Sequence, residues 1–286
     1  MKANLIPIYF SALALGLLVF LNSCTEDEDP AVTIDEETLI DEAIADEAWD
    51  DIDYEVQRVM NFDDGGRELG GSGERQNDPC ATVTRDRETK TVTVDYGTEN
   101  CEGLDGRFRR GKIVISYTGS FRKSNATQTV TFEDYFVNDR KVEGSRAITN
   151  LGPNEEGYLQ QQITLTNGKL TLTDGRKITR QATWIRTWVR GNNPQEDEYL
   201  ITGSASGINR NGTTWQVEVT KALVKKRACY SDRVPFPVEG IRSYSLEKTD
   251  GSTSAIVLDY GNGDCDNLAL VTKDGRGPFE IELKRK

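Results

Sequence analysis

No histidine occurs anywhere in the 286 residues. Its absence removes Ser-His-Asp and Cys-His nucleophilic machinery, histidine general bases and histidine metal ligands. Cysteine is scarce as well. The five cysteines, at positions 24, 80, 101, 229 and 265, show no CxxC spacing, so neither a zinc centre nor a thiol-exchange site is expected. The run GGRELGGSG lacks the flanking strand, the helix and the Lys-Ser/Thr ending of a phosphate-cradling loop. The composition leaves carboxylate chemistry, of the kind used by glycan hydrolases with two Asp or Glu across a cleft. Glu133, Asp134, Glu143, Glu218 and Glu239 are candidates, but their spacing does not pair them. The expectation is therefore a non-enzymatic protein without cofactor or metal, with a two-carboxylate hydrolase as the alternative.

Long apolar runs are also missing, with one exception: IPIYFSALALGLLVFL is free of charge and ends just before Cys24. About sixteen residues fall short of the ~20 needed to span a hydrocarbon core, but they match the apolar region of a signal peptide. Leu21 and Ser23 ahead of Cys24 resemble the lipobox of bacterial type II signal peptides. That resemblance implies cleavage after residue 23 and acylation of Cys24, and three acyl chains at ~0.8 kcal/mol per buried methylene hold a protein on a membrane. An uncleaved anchor helix and an ordinary signal peptide are the other readings. The cysteine count agrees with lipidation, because an odd number in an exported chain leaves one over. Of the three ways to pair the rest, Cys80 with Cys101 and Cys229 with Cys265 is the simplest, and disulfides imply an oxidising compartment.

The net charge of -12 is unevenly placed. From Thr25 to Asp64 there are seventeen acidic residues and one basic residue, Arg58, whereas the chain from Gly65 onward carries a net charge of +3. The acidity thus reads as a solvated, self-repelling leader that disfavours nucleic acid. Within it, Ile40, Ile44, Trp49, Ile52, Val56 and Val59 recur at helical spacing, and Thr33 with Glu36 can form a capping box. This predicts a helix over 36–62 with a narrow apolar stripe and an acidic reverse face, either docked on the rest of the chain or left to a partner. Residues 24–35 form the tether before it, and the Gly-rich stretch 63–79 reads as a linker.

Residues 80–286 carry almost no helix signal. β-rich runs such as VTVDY, KIVISYTGSF and KITRQATWIRTWV alternate with Asn-Gly and Asp-Gly turns, which predicts twelve to fourteen strands in an all-β domain. The sheet is expected to be a large, mostly antiparallel meander that is open, sandwiched or barrel-like. Its two ends share a repeat, VTVDYGTENC (92–101) and IVLDYGNGDC (256–265), with the same D-Y-G-x-x-x-C spacing. Turn chemistry is the preferred reading of Asp95 and Asp259; a duplicated calcium or ligand site is the other.

The acidic residues after Cys24, the helical leader, the D-Y-G-x-x-x-C units and the run DGRFRRGKI (105–113) together resemble uncharacterised lipoproteins of Bacteroidota bacteria. In that group, acids directly after the lipidated cysteine resemble a signal for export to the outer face of the outer membrane. Here Thr25, Glu26, Asp27, Glu28 and Asp29 match it. The resemblance implies a lipid-anchored outer-membrane protein exposed at the cell surface, with the periplasmic face as the alternative, and it brings no activity. The best binding candidate is TWIRTWVRG, where Trp184, Arg186, Trp188 and Arg190 fall on one strand face with Arg180 behind them. Such a row can contact a glycan or an envelope protein; alternatively both Trp pack in the core.

Overall fold

A computed structural model describes residues 36–60, 78–120, 123–231, 234 and 236–283. The proposed signal peptide, Cys24, the Thr25–Asp29 motif, Thr33 and most of the Gly-rich linker lie outside the described residues. One helix, α1 (Glu36–Met60), precedes fourteen strands. The first seven are β1 (Thr82–Asp86), β2 (Thr91–Asp95), β3 (Cys101–Glu102), β4 (Phe108–Tyr117), β5 (Thr127–Val137), β6 (Arg140–Pro153) and β7 (Leu159–Thr171). They continue as β8 (Lys177–Val189), β9 (Glu198–Ile208), β10 (Thr214–Lys226), β11 (Glu239–Glu247), β12 (Thr253–Asn262), β13 (Leu268–Lys273) and β14 (Arg276–Glu282). A short helix, α2 (Arg227–Ser231), follows β10.

The strands form a single open antiparallel sheet in sequence order, with β3 paired to β4 beside the main path. This is the all-β meander that the alternating runs predict. Hairpin turns set the register through Asp side chains: Asp174 Oδ1 accepts the Arg176 amide at 2.9 Å and Asp250 Oδ1 accepts that of Ser252 at 2.9 Å. In both D-Y-G repeats the Asp does the same, since Asp95 Oδ1 accepts from the Gly97 amide at 2.8 Å and Asp259 Oδ1 from that of Gly261 at 2.9 Å. These are Asx turns. Among the described residues no group of three or more His, Cys, Asp or Glu is placed to hold a metal ion.

The sheet curls around α1. Asp50 receives Lys225 of β10 at 2.8 Å, while its neighbour Asp51 receives Arg109 of β4 at 2.5 Å. β4 and β10 are six strands apart in the sheet, roughly 29 Å if it were flat at ~4.8 Å per strand. Adjacent residues, whose Cα atoms lie ~3.8 Å apart, reach both strands only if the sheet bends round the helix. Burial agrees: Ile44, Ala45, Ala48, Trp49, Ile52, Val56 and Val59 are all in the core, with Ile52 fully enclosed. Glycines make the bend sterically possible. At Gly240 (φ +108°), in a register shift of β10 and β11, a Cβ would lie 2.3 Å from the Ala222 carbonyl oxygen.

The described helix docks, and five of its acidic residues are buried. Asp41, Glu42, Asp51, Asp53 and Glu55 are each at most 6 % exposed. Much of the charge of α1 is therefore part of the folded body, because the sheet supplies cations on its inner face. Arg85 of β1 completes the enclosure by donating to the Val59 carbonyl at 2.9 Å, which places a cation at the helix C-terminus.

Candidate functional site

The inner face of the sheet and the acidic side of α1 interlock as ion pairs. Arg146 of β6 makes a two-pronged contact with Asp53, Nε to Oδ1 at 2.7 Å and Nη2 to Oδ2 at 2.6 Å. Asp46 lies between two strands: Arg180 of β8 reaches Oδ1 at 2.6 Å and Arg242 of β11 reaches Oδ2 at 2.8 Å. Burial pushes the Asp46 carboxyl up, but Arg242, Arg180 and Lys225 together hold it well below the usual carboxylate range. Asp41 binds the turn between β9 and β10, taking the Arg210 amide at 2.8 Å and its Nε at 2.6 Å. Glu55 accepts the Tyr96 hydroxyl at 2.7 Å and Arg58 Nη2 at 2.6 Å. Tyr96 belongs to the first D-Y-G unit; its counterpart Tyr260 also faces inward, with the Arg242 guanidinium 5.8 Å from its ring centre.

Both disulfides close as the simplest pairing predicts, Cys80 to Cys101 and Cys229 to Cys265. Each ties one repeat unit to a neighbouring segment at an end of the sheet. By chain entropy each stabilises by roughly 3 to 4 kcal/mol.

The TWIRTWVRG strand divides between two environments. Trp184 is buried, and Arg180 and Arg242 approach its ring to 5.8 and 6.0 Å. Arg186 bridges Gln161 Oε1 at 2.6 Å and Asp53 at 3.5 Å. These residues serve the helix interface. Trp188 lies further along β8 and Arg190 directly follows its last residue, at the rim. Trp188 is half-buried and stacks against Tyr199 of β9 at 6.3 Å, and the Arg190 guanidinium lies 4.2 Å from the Trp188 ring centre. Among the described residues Arg190 is in no ion pair, unlike the arginines that face α1. The helix is also exposed on one stripe, Asp50, Tyr54 and Gln57.

The structure does not gather the candidate carboxylates. Asp134 pairs with Lys141 at 2.7 Å, Glu143 with Lys169 at 2.8 Å and Glu239 with Lys221 at 3.0 Å, each as a local pair within the sheet. Glu133 lies opposite Lys112 in the β4–β5 register, and Glu218 is exposed on β10. A different pair, Glu247 and Asp274, flanks an open groove of ≈ 440 Å³ across β10, β11 and β12, lined also by Thr214, Gln216, Ser245 and Thr253. Asp274 Oδ1 is occupied by the Ala255 amide at 2.8 Å. Sequence reading placed Arg180 and Arg186 in a binding row and missed that they, with Arg109, Arg146 and Arg242, are partners of α1. The signal was present, because Arg180 follows Ile178 and precedes Ala182 and Trp184 at core-facing parity, and Arg242 stands likewise before Tyr244 and Leu246.

Among the described residues no helix is long and apolar enough to cross a membrane. No family model, curated protein or solved structure matches the chain.

Proposed function

We propose that the protein is a lipid-anchored β module of the outer membrane that binds an envelope glycan through the rim around Trp188 and Arg190. The observation that carries this reading is the division of the β8 strip. Its inner part is consumed by α1, whereas Arg190, 4.2 Å from the Trp188 ring centre, has no carboxylate partner among the described residues. A guanidinium pre-positioned on an indole, with its N–H donors unspent on acids, suits a sugar that bears carboxylate or sulfate. The anchor rests on Leu21, Ser23 and Cys24, and the surface address on the acids from Glu26 to Asp29.

The test is a glycan array read with the intact mature protein, compared with Trp188→Ala and Arg190→Ala. Binding to uronate- or sulfate-bearing glycans that both substitutions abolish is the expected result. A protein captured by crosslinking, with no glycan retained, moves the reading to an envelope scaffold. Labelling with acyl analogues that disappears in Cys24→Ala supports the anchor, and label retained by that variant rejects it.

The groove between Glu247 and Asp274 favours a second reading, a two-carboxylate glycan hydrolase. Release of reducing sugar that is lost in Glu247→Gln and Asp274→Asn, with the fold intact, would establish it over the binding reading.

A further inference from the structure

One carboxyl at the helix interface is out of keeping with the rest. Glu42 is 2 % exposed, yet neither of its oxygens has a hydrogen bond among the described residues. Its nearest cation is Arg180 Nη2 at 3.4 Å, and that guanidinium is already committed to Asp46 at 2.6 Å. Around Glu42 stand Asp41 and Asp46 from α1 itself, Arg180 from β8, Arg242 and Tyr244 from β11, and Tyr260 from β12. Lys225 of β10, bonded to Asp50, also lowers Asp46 by its charge, and Asp41 is taken up by Arg210. With Asp41 so held, Arg180 and Arg242 face Glu42 and Asp46, and Asp46 takes the hydrogen bonds from both. An ionised carboxylate sealed away without a hydrogen bond is far costlier than its neutral form.

We propose that Glu42 is a proton-operated latch on α1: protonated, it lets the N-terminal half of the helix seat against β8 and β11, and its ionisation loosens that half. The same geometry raises its affinity for a proton. Burial pushes the carboxyl up to about 7, and attraction to Arg180 offsets only part of the rise. Because the folded-state value lies above the unfolded one, the stabilisation is complete below the ordinary glutamate value of ~4.3. It declines as pH rises toward 7 and is flat beyond. No imidazole complicates this window, since the chain has no histidine. Loosening uncovers Arg180, Arg242 and Trp184, so the latch also gates a cationic, aromatic surface.

Hydrogen exchange of the full chain in detergent micelles, followed by mass spectrometry from pH 5 to 8 and corrected for intrinsic rates, tests the latch. Wild-type protection across residues 37–49 is expected to fall by on the order of tenfold or more, with no matching change in β4 to β6. In Glu42→Gln the protection should be independent of pH. A flat wild-type profile overturns the proposal, as does a slope that survives in Glu42→Gln. If the glutamine variant fails to fold, Glu42→Met supplies the same comparison with an apolar chain of similar length, and the wild-type profile alone still decides against the latch if it is flat.

Discussion

Arg109 of β4 donates through Nη2 to Asp51 of α1 at 2.5 Å, and both side chains are 1 % exposed. The pair joins the leader helix to a strand 58 residues away. Asp105 Oδ2 accepts from the same nitrogen at 2.7 Å, Asp105 Oδ1 from Nη1 at 3.0 Å and Asp51 Oδ2 from Nε at 3.2 Å, so every guanidinium nitrogen of Arg109 has an acceptor. Removing Asp51 leaves the buried Arg109 with only the solvent-exposed Asp105 as a carboxylate and takes one carboxylate from Arg107 as well. Asp51→Ala is therefore expected to destabilise the protein by about 3 to 5 kcal/mol in chemical denaturation. Asp51→Leu combined with Arg109→Met should cost less than Asp51→Ala alone, because the buried cation goes with its carboxylate while Arg107 and Asp105 still pair with each other at 3.2 Å. Equal losses would mean that the pair is not an electrostatic unit.

The disulfides give a prediction of a different kind, because they act largely on the unfolded chain. The Cys229–Cys265 bridge closes a separation of 36 residues and Cys80–Cys101 one of 21. Replacing both members of either bridge with serine is expected to cost roughly 3 to 4 kcal/mol, slightly more for the longer loop. Denaturation midpoints of the two double variants, with and without reductant, check the order. Reductant should lower the wild-type midpoint and leave a variant lacking both bridges unchanged.

Much of this architecture is legible in the sequence because it is local. Period-two alternation and Asp-Gly or Asn-Gly turns mark hairpins, and a meander only joins neighbours, so strand order follows chain order. The helix is legible too: its observed limits, Glu36–Met60, fall within the predicted 36–62. What was not legible is where its acids go. On a helix wheel Asp51 and Asp53 look like a solvated reverse face, and only curvature of the whole sheet brings Arg109, Arg146 and Arg186 to meet them. Curvature is a sum of small non-local bends at glycines and bulges, and no short window of sequence carries it. The TWIRTWVRG strip shows the same limit. Alternation places Trp184, Arg186, Trp188 and Arg190 on one face, but only the position of α1 decides which of them are covered.

Acid should unfold the protein through the same ion pairs. Burial raises the Asp105 carboxyl, but the hydrogen bond and charge of Arg109 outweigh it and bring the value down to about 2. Asp46 is held low in the same sense by Arg242 and Arg180. Both have folded-state values below the unfolded one, so their contribution is present above an ordinary aspartate value of ~3.9 and is lost as pH falls through the folded values. Circular dichroism from pH 5 to pH 2 should therefore show a loss of structure beginning near pH 4. Asp46→Asn should shallow that transition, since the variant no longer gains a proton on unfolding. An unchanged transition would place the acid sensitivity elsewhere.

Curvature itself can be tested at one glycine. Gly240 has φ +108°, in a region that side chains other than glycine rarely adopt, and an added Cβ would lie 2.3 Å from the Ala222 carbonyl oxygen and 2.7 Å from the Leu223 Cα. Both contacts are with backbone, so no rotamer change relieves them. Gly240→Ala must shift β11 against β10 at the bulge that turns these strands toward α1. The expected cost exceeds the ~1 kcal/mol that glycine-to-alanine changes gain or lose at unstrained sites. The loss should appear locally, as faster hydrogen exchange around Asp46, whose partner Arg242 lies two residues beyond Gly240. Gly251→Ala is the matched control: its φ is also positive, +81°, but its Cβ meets nothing within 4 Å, so it carries backbone strain without the collision. A clear excess for Gly240→Ala, with exchange at the helix rising only there, ties the bend of the sheet to the docking of the helix; equal costs would assign the effect to backbone conformation alone.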